Sequence, residues 1–266
     1  MTDTPAGMSY GDYLGLDRLL SAQHPLSELH DETLFIVLHQ TKELWLRQAI
    51  HELKFAKRLI RDGSLVPAYK ALSRISRIQA VMTLSWDVLA TMTPADYSRF
   101  RHVLGSSSGF QSAQFREFEY RLGVKDGKHL SHQQEGSQPH ADLHAALHSQ
   151  SLWDEANAAL ARAGFALPSA LLERDFSQTY TPDPAVEAAW AEVYSDTARW
   201  WDLYQLAEKL VDIDDAMATW RHKHALTVER IIGLKTGTGG TPGVSYLLST
   251  VAKRAFPALW SLRTAL

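Results

Sequence analysis

Three features of the sequence predict an all-α, single-domain bundle of long helices. Residues 31–62 and 185–232 run without Gly or Pro, and in the first of these apolar side chains recur at steps of three, four or seven. Helix-start signals recur as well: Thr93-Pro94-Ala95-Asp96 and Asp183-Pro184 each place a capping side chain directly before a Pro at the first helical position. The sequence contains no alternating apolar–polar stretch of useful strand length and no internal repeat.

The helix over 31–62 carries Leu34, Leu38, Trp45, Ala49, Leu53, Ala56 and Ile60 on one stripe and stops at Gly63. Its first turns are apolar all round, which predicts burial from several sides. Pro67 opens a second helix that runs to about Met92 through Leu72, Ile75, Ile78, Met82 and Trp86. Thr93 starts a third, and Gly105–Gly109 (GSSSG) is a turn. A short helix over 110–122 is closed by Gly123, and the Gly-rich polar stretch 123–139 reads as an exposed loop. Weaker helices follow, with breaks at Gly164, Pro168 and residues 181–184. The 48 residues from 185 to 232 are expected to form one very long helix or two abutting ones, ended by Gly233. Residues 235–243 (KTGTGGTPG) form a Gly-rich loop, and a last helix from about Val244 is broken at Pro257.

Composition narrows the function. The 266 residues are 45% apolar and 21% charged, with a formal net charge of −3, so no basic surplus exists to bind nucleic acid by bulk charge. Zero cysteines exclude disulfides, thiolate zinc sites, iron–sulfur clusters and a cysteine nucleophile. Residues 1–20 hold Asp3, Asp12 and Asp17 and no basic-then-apolar leader, so a cytoplasmic protein is expected. Twelve His and eight Trp are the unusual entries, and they direct attention to ligands and aromatic pockets.

Several constellations could carry chemistry. His140, His144 and His148 share a helical face and could hold a metal, or could equally be a solvated surface. His51-Glu52 lacks the second His four residues after the first that a zincin helix needs. The GTGG segment lacks the Lys-Ser/Thr of a P-loop and follows a helix, where a dinucleotide turn would follow a strand. It is either a flexible connector or a mobile lid whose backbone N–H groups and Thr238 hydroxyl close on a small anion. Phe35 and His39 lie four apart on an apolar face, as do Trp220, His224 and Val228. Such a His is either a satisfied core residue or the single imidazole that a haem iron takes. Tyr97 and Arg101 form a third pair at this spacing, suited to a structural ion pair or to a carboxylate clamp.

The stretches HDETLFIVLHQTKELW (30–45), FRHVLGSSSGFQSAQFR (100–116, followed by Glu119) and WRHKHALTVERIIGLKTGTGG (220–240) resemble the tryptophan 2,3-dioxygenase family. SYGDYLGLDRLLSAQHPLS (9–27) and RAFPALWSLRT (254–264) match as well, so the likeness runs over nearly the whole chain in unchanged order. The resemblance implies one helical domain over 1–266 enclosing haem b, with His224 as axial iron ligand. It implies His39 as the catalytic distal His facing the substrate indole and Phe35 packed on that indole. Arg101 would bind the substrate carboxylate, and Tyr97 would line the same pocket. Thr238 in the mobile loop 235–243 would meet the ammonium and carboxylate. Ser108 would lie near a haem propionate, and Trp86 close to the distal side. Tyr10 and Tyr13, on a helical N-terminal arm over 1–20, would reach into a neighbouring subunit's site in a homotetramer built as a dimer of dimers. The reaction implied is opening of the indole ring of L-tryptophan by O2. Ser106 and Thr241-Pro242 depart from the family pattern and touch the loop region. Two other readings follow from the same residues: a haem mono-oxygenase of a tryptophan derivative or other aromatic amino acid, and a non-catalytic haem- or O2-binding protein. Only catalysis on an amino acid needs Arg101, Thr238 and the loop together.

Overall fold

The computed structural model describes residues 7–240 and 242–266, all of it helix, turn and loop, with no strand among them. Two short helices, α1 (Tyr10–Leu14) and α2 (Leu16–Leu20), form the N-terminal arm, hinged at Gly15, whose φ of 62° serves as C-cap of one and N-cap of the other. α3 (His30–Arg61) and α4 (Leu65–Leu89) then run antiparallel. The N-cap residue of α3, Leu29, makes no side-chain cap bond. Instead the buried Glu32 carboxylate accepts from the backbone N–H of Leu26 and Ser27, both at 2.8 Å, and ties the incoming chain to the first turn. These bonds hold the Glu32 carboxyl below its usual range although burial opposes them.

α5 (Pro94–Phe100) starts with a capping box between Thr93 and Asp96, as its sequence predicts. A 3₁₀ turn at Arg101–Leu104 and another at Gly109–Gln111 follow, and Ser112 caps α6 (Ala113–Leu122). The helix expected over 110–122 is therefore split at its start. α7 (Gln138–His148), α8 (Leu152–Arg162) and the single turn α9 (Ser169–Leu172) complete the middle of the chain. The stretch 123–139, expected as an exposed loop, is partly buried. Lys125 and His129 are both under a tenth exposed, and a 3₁₀ helix spans Gly127–His132. The reason is the Lys125 ammonium, which donates to the carbonyl of Leu147 at 2.6 Å and also to that of Ser149, closing the C-terminal end of α7.

Residues 185–232 resolve the open alternative in favour of two helices, α10 (Pro184–Ser195) and α11 (Trp201–Ile232). The break needs neither Gly nor Pro. Trp200 leaves the helical path to pack its ring 4.8 Å from Phe165, with the Arg199 guanidinium 4.5 Å over the indole. α12 (Val244–Val251) and α13 (Pro257–Ser261) end the chain.

α4 packs between α3 and α11, and these three long helices form the body of the molecule, with α6 and α8 against α3 and α12 against α11. Their shared core includes Leu53, Ala56, Ile60, Leu72, Ile75, Leu206 and Leu210, all fully buried. The buried Asp214 carboxylate of α11 fastens the C-terminal segment. It accepts from the backbone N–H of Ala255 at 3.1 Å and from the Trp260 indole N–H at 3.0 Å. A smaller apolar cluster at one end of the bundle gathers Leu38, Trp86, Leu89, Met92, Phe100 and Ile231 from α3, α4, α5 and α11. The expectation that the first turns of α3 are buried from several sides is corrected. Val37 is 43% exposed, because no element among the described residues covers that face.

Candidate active site

The smaller apolar cluster walls a cavity of about 250 Å³ that opens to solvent. α3 presents Phe35, His39 and Lys42 to the cavity, α4 presents Trp86, and α11 presents His224 and Val228. The helical spacing noted in the sequence thus converges from α3 and α11 on one space.

His39 is held by its own helix. Its Nδ1 lies 2.7 Å from the Phe35 carbonyl oxygen, to which it donates, so Nε2 remains as the acceptor. The Phe35 and His39 rings are 4.2 Å apart. Burial, reinforced by the Lys42 charge, drives the His39 pKa down to about 4. His224 is pushed further, to about 3, again chiefly by burial and then by Lys42 and His39. Both imidazoles are neutral near pH 7.

The Trp86 indole lies flat on His224, with centroids 4.3 Å apart and planes 8° apart. Lys42 Nζ lies 2.7 Å from the centroid of the same indole ring. Tyr97 stands edge-on to Phe100 at 5.4 Å and 6.1 Å from Phe35, so it belongs to the same aromatic wall.

Arg101 follows directly on α5 and is not itself among the residues that line the cavity; its guanidinium donates to the Thr236 carbonyl of the Gly-rich loop. The Thr238 hydroxyl donates to the Ser107 carbonyl at 2.7 Å, and Thr238 and Ser108 both line the cavity. The Ser108 hydroxyl itself accepts the Phe110 backbone N–H at 3.3 Å. The loop is therefore docked on the GSSSG turn. Gly239 permits this approach, since a Cβ there would lie 2.8 Å from Ser108 Cβ. Thr241, one of the two departures from the family pattern at 241–242, lies outside the described residues.

Tyr10 and Tyr13 are not brought to this cavity by their own chain. They are 76% and 77% exposed on α1. His140, His144 and His148 do share a face of α7, with ring centroids 6.4 and 4.2 Å apart, but no group of three metal-binding side chains is assembled among the described residues.

Sequence reasoning missed two further parts of the site. One is Lys42, a lysine three residues after His39 whose burial no polarity scale reveals. The other is a buried ion triad: Glu119 accepts from Arg116 at 2.7 Å and from Arg221 at 2.8 Å. Arg221 also donates to the Thr250 and Lys253 carbonyls at the end of α12, at 3.2 and 3.0 Å. The helix bearing His224 is thereby joined to the helix that follows the loop. Arg116, Glu119 and Arg221 all lie in the quoted motifs, and their charge in otherwise helical stretches was the available signal.

The residues present fit a haem. No hydrogen bond engages either ring nitrogen of His224 among the described residues, so a neutral imidazole is free to ligate iron. The walls are aromatic and aliphatic, as a porphyrin face requires.

Comparison with known proteins agrees with the geometry. The sequence model described as tryptophan 2,3-dioxygenase matches residues 2–145 and 136–266. The tryptophan 2,3-dioxygenase of Caulobacter vibrioides is 65% identical over 259 residues, covering 97% of this chain and 98% of the relative. That of Bacillus cereus is 52% identical over 265 residues, covering 100% and 95%. Tryptophan 2,3-dioxygenase 1 of Ralstonia nicotianae is 51% identical over 264 residues, covering 99% and 90%.

Proposed function

The chain belongs to the tryptophan 2,3-dioxygenase family, and on that premise we propose that it opens the indole ring of L-tryptophan with O2, using haem b, to give N-formylkynurenine. The observation that carries the reading is the pair of neutral imidazoles, His39 and His224, facing one aromatic-walled cavity beneath a docked Gly-rich loop.

His224 holds the haem iron. When bound, the haem supplies the activation of O2 for transfer to C2 and C3 of the indole. The chain's own residues bind and orient the substrate. His39 Nε2 accepts the indole N–H, because Nδ1 is already committed to the Phe35 carbonyl. Phe35 packs on the indole face, and Tyr97 and Phe100 back it. Arg101 exchanges the neutral Thr236 carbonyl for the substrate carboxylate, a stronger charge-assisted and bidentate partner. Thr238 meets the carboxylate and ammonium as the loop closes, and closure excludes water from the indole. Ser108 lies near a haem propionate in this assignment, and Trp86 fixes the plane of the His224 ring.

Assembly as a dimer of dimers belongs to the same proposal. It is supported by apolar surface that one chain leaves bare: Tyr10, Tyr13 and Leu20 on the arm and Val81, Leu84 and Val88 on α4. Removal of residues 1–13 is expected to weaken both assembly and turnover, measured by sizing in solution and by activity. A fully active monomer refutes the shared site. We also propose a cytoplasmic location and a single haem-binding domain; no helix among the described residues is long and apolar enough to cross a membrane.

The deciding experiment is turnover of L-tryptophan by reduced, haem-loaded enzyme under isotopically labelled O2. Two labelled atoms in one N-formylkynurenine are expected, with no reductant consumed per turnover. One labelled atom, in stoichiometry with added reductant, refutes the proposal in favour of mono-oxygenation.

A further inference from the structure

Lys42 is a buried charged group in the cavity wall with no partner among the described residues. It is 6% exposed, and its Nζ makes no hydrogen bond among them. The nearby carboxylates are committed elsewhere. Glu43 accepts from the Ser112 hydroxyl at 2.6 Å and the Gln114 amide at 2.8 Å. Glu119 is held by Arg116 and Arg221. The Nζ lies over the face of Trp86, 2.7 Å from the ring centroid.

An ammonium left in this state is costly, since neither water nor a counter-charge repays its desolvation. The wider lining points the same way. It carries four basic side chains, Lys42, Arg116, Arg221 and Lys253, against the two carboxylates of Glu43 and Glu119. A ligand that satisfies such a wall is an apolar plate bearing two carboxylates. The indole substrate, with its single carboxylate directed to Arg101, does not answer that description.

We propose that Lys42 is a haem-anchoring residue whose ammonium pairs with one carboxylate of the porphyrin. The inference rests on the haem reading given above and adds to it a residue that neither helical spacing nor the family likeness singled out. In this arrangement Lys42 lifts from the Trp86 face when the porphyrin enters. Trp86 then keeps a single stacking partner, His224, and the lysine exchanges a cation–π contact for a charge-assisted hydrogen bond.

The test compares wild type, Lys42→Met and Lys42→Arg, each loaded with iron protoporphyrin IX or with its dimethyl ester, which lacks both carboxylate charges. The measurement is the rate of porphyrin transfer to excess apomyoglobin. Far-ultraviolet circular dichroism confirms that helix content is retained. Met fills the space of the aliphatic stem, so folding is expected to survive. Lys42→Met is expected to release iron protoporphyrin roughly ten- to a hundredfold faster than wild type, as the loss of one charged hydrogen bond requires. Lys42→Arg is expected to restore most of the retention. Esterification is expected to speed release from wild type much more than from Lys42→Met. Equal release from wild type and Lys42→Met overturns the anchor, as does an equal effect of esterification on both, which would leave Lys42 only a lid on Trp86. A wild-type chain that binds no haem overturns the haem reading itself, a result distinct from either.

Discussion

The Trp86 indole and the His224 imidazole are stacked in parallel, with centroids 4.3 Å apart and an angle of 8° between their planes. No hydrogen bond from the described residues fixes the His224 ring, so this stack is the contact that sets its orientation. His39, four residues after Phe35 on the facing helix, is oriented differently, by a hydrogen bond to its own helix backbone. One imidazole is aimed by packing and the other by a covalently nearby carbonyl.

That difference separates the two histidines in experiment. His224→Ala is expected to lose stable haem, read from the absorption spectrum of the purified protein. His39→Ala is expected to keep haem and lose turnover on the order of a hundredfold, the effect of a misplaced indole. Loss of haem in the His39 variant would show that the two faces are exchanged.

Arg101→Leu is expected to raise KM for L-tryptophan, with a loss of about 2–4 kcal/mol in kcat/KM. Tryptamine, which lacks the carboxylate, is expected to be a poor substrate for wild type and to be little affected by the substitution. Equal handling of tryptophan and tryptamine by wild type would refute the clamp.

Gly239→Ala places a methyl group 2.8 Å from Ser108 Cβ, a contact that neither atom can leave without moving backbone. The docked loop is expected to be destabilised by about 1–3 kcal/mol, seen as a higher KM for tryptophan. Adding Ser108→Gly removes the opposing atom and is expected to recover part of the loss. Strictly additive effects of the two substitutions would mean that the contact does not hold the loop.

His129 supplies a pH test away from the active site. Burial, then the Arg116 charge, lowers its pKa from the usual 6.5 to about 4, while Asp126 opposes the shift. The unfolded chain therefore takes up the proton first as pH falls, and the folded state loses stability between about pH 6.5 and 4. In urea unfolding of the holoenzyme, wild type is expected to lose more stability than His129→Gln as pH is lowered from about 7 to 5. Parallel losses in the two proteins would refute the assignment.

The α-helical class, the three long elements and most helix starts were legible in the sequence, because capping and periodicity are local. Thr93 and Asp96 make their capping box from four consecutive residues, and Phe35 and His39 meet within one helical turn. The site residues were legible for another reason: the ordered motifs around His39, Arg101 and His224 resemble those of a known family along nearly the whole chain.

What only the tertiary structure decided is the set of contacts between groups far apart in sequence. The break at residues 196–200 depends on Phe165 receiving Trp200, and the burial of residues 125–129 depends on the carbonyls of Leu147 and Ser149. The stacking of Trp86 on His224, with Lys42 over the same indole, joins three helices. Local sequence carries the energies of capping and of helical period, which involve neighbours within a turn. The environment of a charge is set by whatever chain segments exclude water from it, and for Lys42 those segments come from α3, α4 and α11 together.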